Sequence, residues 1–173
     1  MNPKQDELLL DIHTLQGTEK AETCARLMAA SEPWITLGRT YESCLQTVTD
    51  PTREVYVAMM QAEVAGFIIL NMHGAFVGYI QTLCIAPAWR SRGLGARLIK
   101  FAEKRIFAEA PNVFICVSSF NPRAKALYER LGYQTVGELT DYIVPGHSEI
   151  LLRKTVGSLT TFRRGASREN QSS

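Results

Sequence analysis

Leu83-Cys84-Ile85-Ala86-Pro87-Ala88-Trp89-Arg90-Ser91-Arg92-Gly93-Leu94-Gly95-Ala96-Arg97-Leu98 is the stretch on which the reading of this 173-residue chain turns. Ile80 to Ile85 is apolar and partly β-branched, and Pro87 ends the run, which predicts a strand. From Leu94 the apolar residues return at helical spacing: Leu94, Leu98, Ile99, Ala102 and Ile106. Gly93 and Gly95 therefore sit at a helix N-terminus, where the first backbone N–H groups have no partner within the helix. The aligned peptide dipoles add roughly half a positive charge there. Such an end suits a phosphate.

Spacing decides which phosphate. A nucleotide P-loop needs a Lys-Ser or Lys-Thr pair after its glycines, and none follows here. A dinucleotide fingerprint needs a third glycine where this chain has Leu98. Gly93 and Gly95 instead let the backbone curl with its amides inward and remove the Cβ atoms that would block a diphosphate. Arg90 and Arg92 add positive charge.

Asn121-Pro122-Arg123-Ala124-Lys125-Ala126-Leu127-Tyr128-Glu129-Arg130-Leu131-Gly132-Tyr133 is a short helix marked at both ends. Asn121 is the N-cap, Pro122 the first helical residue, and Gly132 the stop. Asn121 and Tyr128 project from nearly one side of its axis, about 10 Å apart.

These two motifs, in this order, resemble those of the GNAT superfamily of acyl-CoA-dependent N-acyltransferases. Arg90-x-x-Gly93-x-Gly95-Ala96 matches the family's Gln/Arg-x-x-Gly-x-Gly/Ala pyrophosphate loop. Asn121, Ala124, Tyr128, Gly132 and Tyr133 match its second pattern. The resemblance covers roughly Arg53 to Lys154. It implies an α+β fold in which a mixed, mostly antiparallel sheet of about seven strands is flanked by about four helices in a single domain. Two of those strands, ending at Ile85 and near Val117, would splay apart so that a pantetheine arm lies between them.

The rest of the chain agrees with one domain. Its 46% hydrophobic composition supports one well-buried core. A net charge of +2 argues for neither nucleic acid nor membrane, and no apolar run approaches a membrane span. The polar N-terminus lacks a signal region, so a cytoplasmic protein is expected. Cys24, Cys44, Cys84 and Cys116 form no C-x-x-C pair, and no metal site is expected.

Leu8 to Leu15 reads as a first strand, Glu19 to Ala30 as an amphipathic helix capped by Thr18, and Thr40 to Val48 as a second helix. Arg53 to Met60, Val64 to Met72 and Phe76 to Ile85 are three consecutive strands whose short connections imply an antiparallel meander. Asn112 to Ser118 follows the long helix and makes a βαβ crossover. Tyr133 to Thr140 and Glu149 to Arg153 form a last hairpin. The domain is expected to span residues 1–156, with 157–173 a polar, mobile tail.

The resemblance implies acetyl-CoA as cosubstrate and a primary amine, either a small molecule or a peptide N-terminus, as acceptor, with a homodimer as a further option. Leu83, Cys84, Ile85, Arg90, Ser91, Arg92, Gly93, Leu94, Gly95, Ala96, Asn121 and Lys125 would bind the cofactor. Glu32, Trp34 and Tyr41 would touch the acceptor, and Tyr128 would protonate the leaving thiolate. A backbone N–H near Cys84 or Ile85 would receive the charge that builds on the carbonyl oxygen.

A neutral amine is also required. A lysine-like amine must give up roughly 3.4 units' worth of protonation at pH 7, about 4.6 kcal/mol, whereas an α-amine gives up about one unit. Some family members carry a glutamate on the strand before the glycine loop. Tyr79-Ile80-Gln81-Thr82 offers none, leaving Glu32, Glu42, His73, Asp141, His147 and Glu149 as candidate bases. Two other readings stand beside this one: a Cys84 nucleophile in a ping-pong reaction, and a domain that binds acyl-CoA without turnover.

Overall fold

The computed structural model describes residues 10–163. Most of the expected tail and the polar residues before Leu10 lie outside the described residues. The elements in order are β1 (Asp11–Thr14), α1 (Thr18–Ala29), α2 (Tyr41–Val48), β2 (Glu54–Met60), β3 (Glu63–Asn71) and β4 (Tyr79–Ile85). They continue with α3 (Leu94–Phe107), β5 (Asn112–Ser118), α4 (Pro122–Arg130), β6 (Gln134–Leu139) and β7 (Glu149–Thr155). The strands form one seven-stranded sheet in the order β1-β2-β3-β4-β5-β7-β6. Every neighbouring pair is antiparallel except β4 and β5. The fold is the α+β architecture that the two motifs implied.

The β2–β3–β4 meander is present, and α3 supplies the crossover between the parallel strands. Helices cover both faces. On one, Leu94, Leu98, Ile99, Ala102 and Ile106 of α3 pack with Ile80, Val113, Ile115, Val117 and Tyr128. On the other, Ala21, Cys24, Ala25 and Met28 of α1 and Cys44 and Val48 of α2 pack on Val57, Phe67, Ile69 and Cys84. A strand's side chains alternate between faces, so the purely apolar run Phe67 to Leu70, buried throughout, serves both layers.

Most strand ends shift by one residue from expectation, and three boundaries differ for a visible reason. Gly17, not Thr18, is the cap of α1: its φ of 84° turns the chain out of β1, and helical geometry begins at Thr18 itself. β4 begins at Tyr79 rather than Phe76, because Gly78 at φ 89° interrupts the extended backbone. Phe76 lies in the preceding loop with its ring 4.9 Å from that of Phe114. β7 runs on to Thr155, paired with Asn112. Beyond it, Ser158 and Thr161 close a turn in which the Phe162 N–H reaches the Ser158 carbonyl at 3.1 Å.

Gly78 fixes where the parallel strands meet. Its carbonyl accepts the Phe114 N–H at 3.0 Å. A Cβ there would stand 2.5 Å from both the Asn112 carbonyl oxygen and Ile106 Cγ2. Gly74 has a similar φ of 80°, but a Cβ would meet nothing within 4 Å. Gly74→Ala should therefore cost about 1–2 kcal/mol, from the left-handed backbone alone. Gly78→Ala should cost at least about 1–3 kcal/mol more, because backbone has to move. Urea unfolding of the two variants checks the order; equal midpoints would contradict it.

Candidate functional site

β4 and β5 pair only at Tyr79 with Phe114 and at Ile80 with Ile115, then part. What their free edges offer follows from ladder parity. In an antiparallel pair, alternate residues point their N–H and C=O groups toward the partner. Ala86 donates to the Ala65 carbonyl at 2.9 Å, so Cys84 and Thr82 also face β3, while Leu83 and Ile85 turn their backbone groups into the gap.

At the start of β4 the parity is the opposite, since Gly78 and Ile80 face β5. The register between β3 and β4 skips Gln81, pairing Ile69 with Thr82 and Leu70 with Ile80. This one-residue bulge reverses the alternation. On β5 the register is unbroken, so Cys116 and Ser118 face β4 from the other side; the Cys116 N–H serves the Ile80 carbonyl and the Ser118 carbonyl accepts the Asn121 N–H at 2.8 Å, which leaves the Cys116 carbonyl and the Ser118 N–H to the gap. Of the two amides that the resemblance offered to an oxyanion, only the Ile85 N–H is turned to the gap, because the ladder places the Cys84 N–H against β3.

Past Ile85 the chain makes a short 3-10 turn at Pro87–Trp89 and curls into α3. Ser91 and Gly93 take left-handed φ values of 63° and 80°, and Gly93 caps the helix. Residues in that region turn successive amides toward one point. Among the described residues no hydrogen bond consumes the N–H groups of Leu94, Gly95 and Ala96. A Cβ on Gly95 would lie 3.4 Å from Leu127 Cδ2, so the start of α3 sits close against α4.

The arginines divide the work differently from expectation. Arg90 acts as a strut: Nε donates to the Ile85 carbonyl at 2.9 Å and Nη2 to Ser31 Oγ at 2.9 Å. Arg92 lies over the Trp89 ring, 5.1 Å from its centroid. Arg123, unforeseen in the sequence, reaches from α4 to Ser91 Oγ at 2.7 Å. Its place directly after Pro122 at the helix start was the available signal, since the next turn of α4 faces the cup.

One cavity of about 1000 Å3 runs from this cup through the strand gap to the opposite face. Leu83, Cys84, Ile85, Arg90, Ser91, Gly93, Leu94, Gly95, Ala96, Asn121, Tyr128 and Trp34 line it, and so do Gln81, Cys116, Ser118, Arg123 and Glu149. Arg92, Lys125, Glu32 and Tyr41 do not. Lys125 pairs with Glu129 at 2.6 Å, one turn along α4. Glu32 accepts the Thr36 N–H at 3.2 Å within its own turn. Tyr41 packs against the α1–α2 core. Asn121 spends Oδ1 on the Ala124 N–H at 3.2 Å as the cap of α4, which leaves its amide nitrogen for the cavity.

Burial governs protonation here. The Tyr128 side chain sits at the end of the α3-side core, 6% exposed, and desolvation holds its phenol well above the ordinary range, so it keeps its proton. Burial pushes the Cys84 thiol up to about 12, against smaller opposing effects from the Ser31 hydroxyl and Arg90. Glu149 is buried and accepts from Ser118 Oγ at 2.6 Å; desolvation raises its carboxyl above the usual range, partly offset by that bond. Gln81 Oε1 is buried without a partner among the described residues.

Comparison with known proteins agrees with this geometry. The sequence model of the Acetyltransferase (GNAT) family matches residues 15–133, and the chain belongs to that family. It is an acetyltransferase of that family. The N-alpha-acetyltransferase RimI of Mycobacterium tuberculosis is 28% identical over 141 residues, covering 79% of this chain and 85% of that protein. Spermidine N-acetyltransferase from Vibrio cholerae, solved with CoA and spermine, superposes with a TM-score of 0.67 at 17% identity, over 86% of this chain and 96% of that one. Aminoglycoside 6'-N-acetyltransferase from Enterococcus faecium gives 0.66 at 18% identity, over 86% and 98%.

The raised thiol makes Cys84 a poor nucleophile. At pH 8 iodoacetamide should leave Cys84 unmodified in the folded protein and label it only after unfolding, as read by peptide mass mapping. Rapid labelling of the native protein would contradict the assignment.

Proposed function

We propose that the chain transfers an acetyl group from acetyl-CoA to a primary amine, a small molecule or a peptide N-terminus, by direct attack within a ternary complex. The observation that carries this reading is the continuity of the cup, the strand gap and Tyr128 along a single cavity. The amides of Leu94 to Ala96 with Arg123 suit a diphosphate, and the backbone groups of Leu83, the Ile85 N–H, the Cys116 carbonyl and the Ser118 N–H, all turned to the gap, suit the amides of a pantetheine arm. Bound there, acetyl-CoA supplies the activated acyl group.

Each remaining task falls to a group of this chain. The Ile85 N–H, fixed by the ladder and by the Arg90 strut on the same residue's carbonyl, receives the charge that develops on the thioester oxygen. Tyr128, protonated at any physiological pH, gives a proton to the departing sulfur. The Asn121 amide orients the arm between them. Trp34, in the loop between α1 and α2, walls the acceptor's approach. Direct attack accords with Cys84, whose thiol holds its proton. The reaction is assigned to the cytoplasm, where the free thiols Cys24, Cys44, Cys84 and Cys116 stay reduced.

Acetyl-CoA offered with a panel of free amines and short peptides should release free thiol only when an acceptor is present. Coenzyme A binding without amine-dependent thiol would leave a binding module in place of an enzyme. Tyr128→Phe should keep acetyl-CoA affinity by calorimetry and lower kcat roughly 10²-fold. Unchanged kcat would remove the hydroxyl from the reaction.

A further inference from the structure

An alkylamine arrives as an ammonium ion, and its proton needs a destination before nitrogen can attack. Glu149 is the single carboxylate among the residues that line the cavity. Of the other bases considered from sequence, Asp141 accepts the Gly146 N–H at 2.7 Å within the β6–β7 connection, and the His147 ring packs 4.8 Å from that of Phe120. Glu32, Glu42 and His73 also lie off the cavity wall.

The position of Glu149 is set by register. It opens β7 directly opposite Ser118. Val113, Ile115 and Val117 turn their side chains into the α3-side core, as do their cross-strand partners Leu152 and Ile150. Cys116, Ser118 and Glu149 therefore project from the opposite face, the one that carries α1 and α2. Tyr128 packs with the α3-side core. The carboxylate and the phenol thus stand on opposite faces of the sheet, with the gap between β4 and β5 separating them. That is the arrangement a displacement needs: one group serving the incoming nucleophile, the other serving the leaving sulfur.

We propose that Glu149 is the general base of the transfer, taking the proton of an ammonium acceptor that enters from the α1–α2 face. This rests on the acetyltransferase reading. The Oε1 atom is held by Ser118; Oε2 has no hydrogen-bond partner among the described residues and takes the proton. The freed lone pair on nitrogen forms the C–N bond as the C–S bond breaks. The nitrogen's second proton leaves with the sulfur side through the Tyr128 hydroxyl, and Glu149 returns its own to solvent, so the products are amide, free thiol and one released proton.

The groups facing Glu149 are Tyr79 from β4, Cys116 and Ser118 from β5 and, beyond Tyr79, Tyr142 from the β6–β7 connection. Burial raises the Tyr79 phenol and the Cys116 thiol, so both keep their protons, and among the described residues no salt bridge reaches Glu149. Gln81 Oε1, buried and unpartnered on the same cavity, is a second acceptor for an ammonium N–H.

The test compares wild type with Glu149→Gln, which preserves shape and the bond from Ser118. With an accepted alkylamine, kcat of the wild type should fall as pH drops through the carboxyl's titration. The variant should lose at least about 10²-fold in kcat together with that acid limb, and acetyl-CoA affinity by calorimetry should be unchanged. The loss should be smaller for an α-amine, which needs less help to deprotonate. Carbon NMR of glutamate-labelled protein should show one carboxyl titrating above the others, absent from the variant. Ser118→Ala, which keeps the carboxylate and removes its donor, should move the acid limb of kcat to higher pH. A variant with the wild-type kcat and pH profile, or a Glu149 carboxyl that titrates with the surface glutamates, overturns the assignment while leaving the transferase intact. A wild type silent across the amine panel overturns both.

Discussion

The site depends on a reversal of hydrogen-bond parity within β4. Had the strand kept one alternation from Tyr79 to Ile85, the backbone groups of Leu83 and Ile85 would face β3, and those of Thr82 and Cys84 would face the gap. The residue skipped at Gln81 prevents this. It lets the first half of the strand pair with β5 and the second half present unpaired groups at a different phase. Unpaired backbone N–H and C=O groups inside a fold cost free energy unless something satisfies them. A structure that keeps such an edge open beside a cavity is prepared for an extended ligand that completes the sheet.

Two features hold the gap open. At the closed end, Gly78 admits the Asn112 carbonyl and Ile106 so closely that the strands are pinned together. At the open end, Arg90 ties the last residue of β4 to Ser31 after α1, so the strand edge and the acceptor-side loop share one strut. The sequence motif marks Arg90 as a phosphate residue by its neighbourhood; the geometry spends it on bracing. The positive end left facing the cup comes from the helix amides and from Arg123.

Much of this was legible in sequence, because the informative residues act locally. Gly93 and Gly95, with the apolar spacing after Leu94, define a strand–loop–helix from neighbours alone. Asn121, Pro122 and Gly132 mark both ends of α4 in the same way. What escaped depends on register. Nothing in Tyr79-Ile80-Gln81-Thr82 announces a bulge, which exists only relative to the pairing of β3. Glu149 and Ser118 lie 31 positions apart and meet because β5 and β7 pair as they do, so the sequence offered Glu149 as one of six bases without preference. Lys125 and Glu32 misled for the opposite reason: each finds a partner within its own turn, and that local pairing takes it off the cavity wall.

The central claim is that the edges of β4 and β5 and the start of α3 form one receptor for an extended, diphosphate-bearing cofactor. Amide hydrogen exchange, resolved to single residues with and without coenzyme A, tests it most directly. The account predicts slower exchange at Leu83, Ile85, Ser118 and Leu94 to Ala96 on binding, and little change at Thr82, Cys84 and Cys116, whose amides already serve the sheet's ladders. Protection of Thr82 and Cys84 instead, or none at the start of α3, would contradict it.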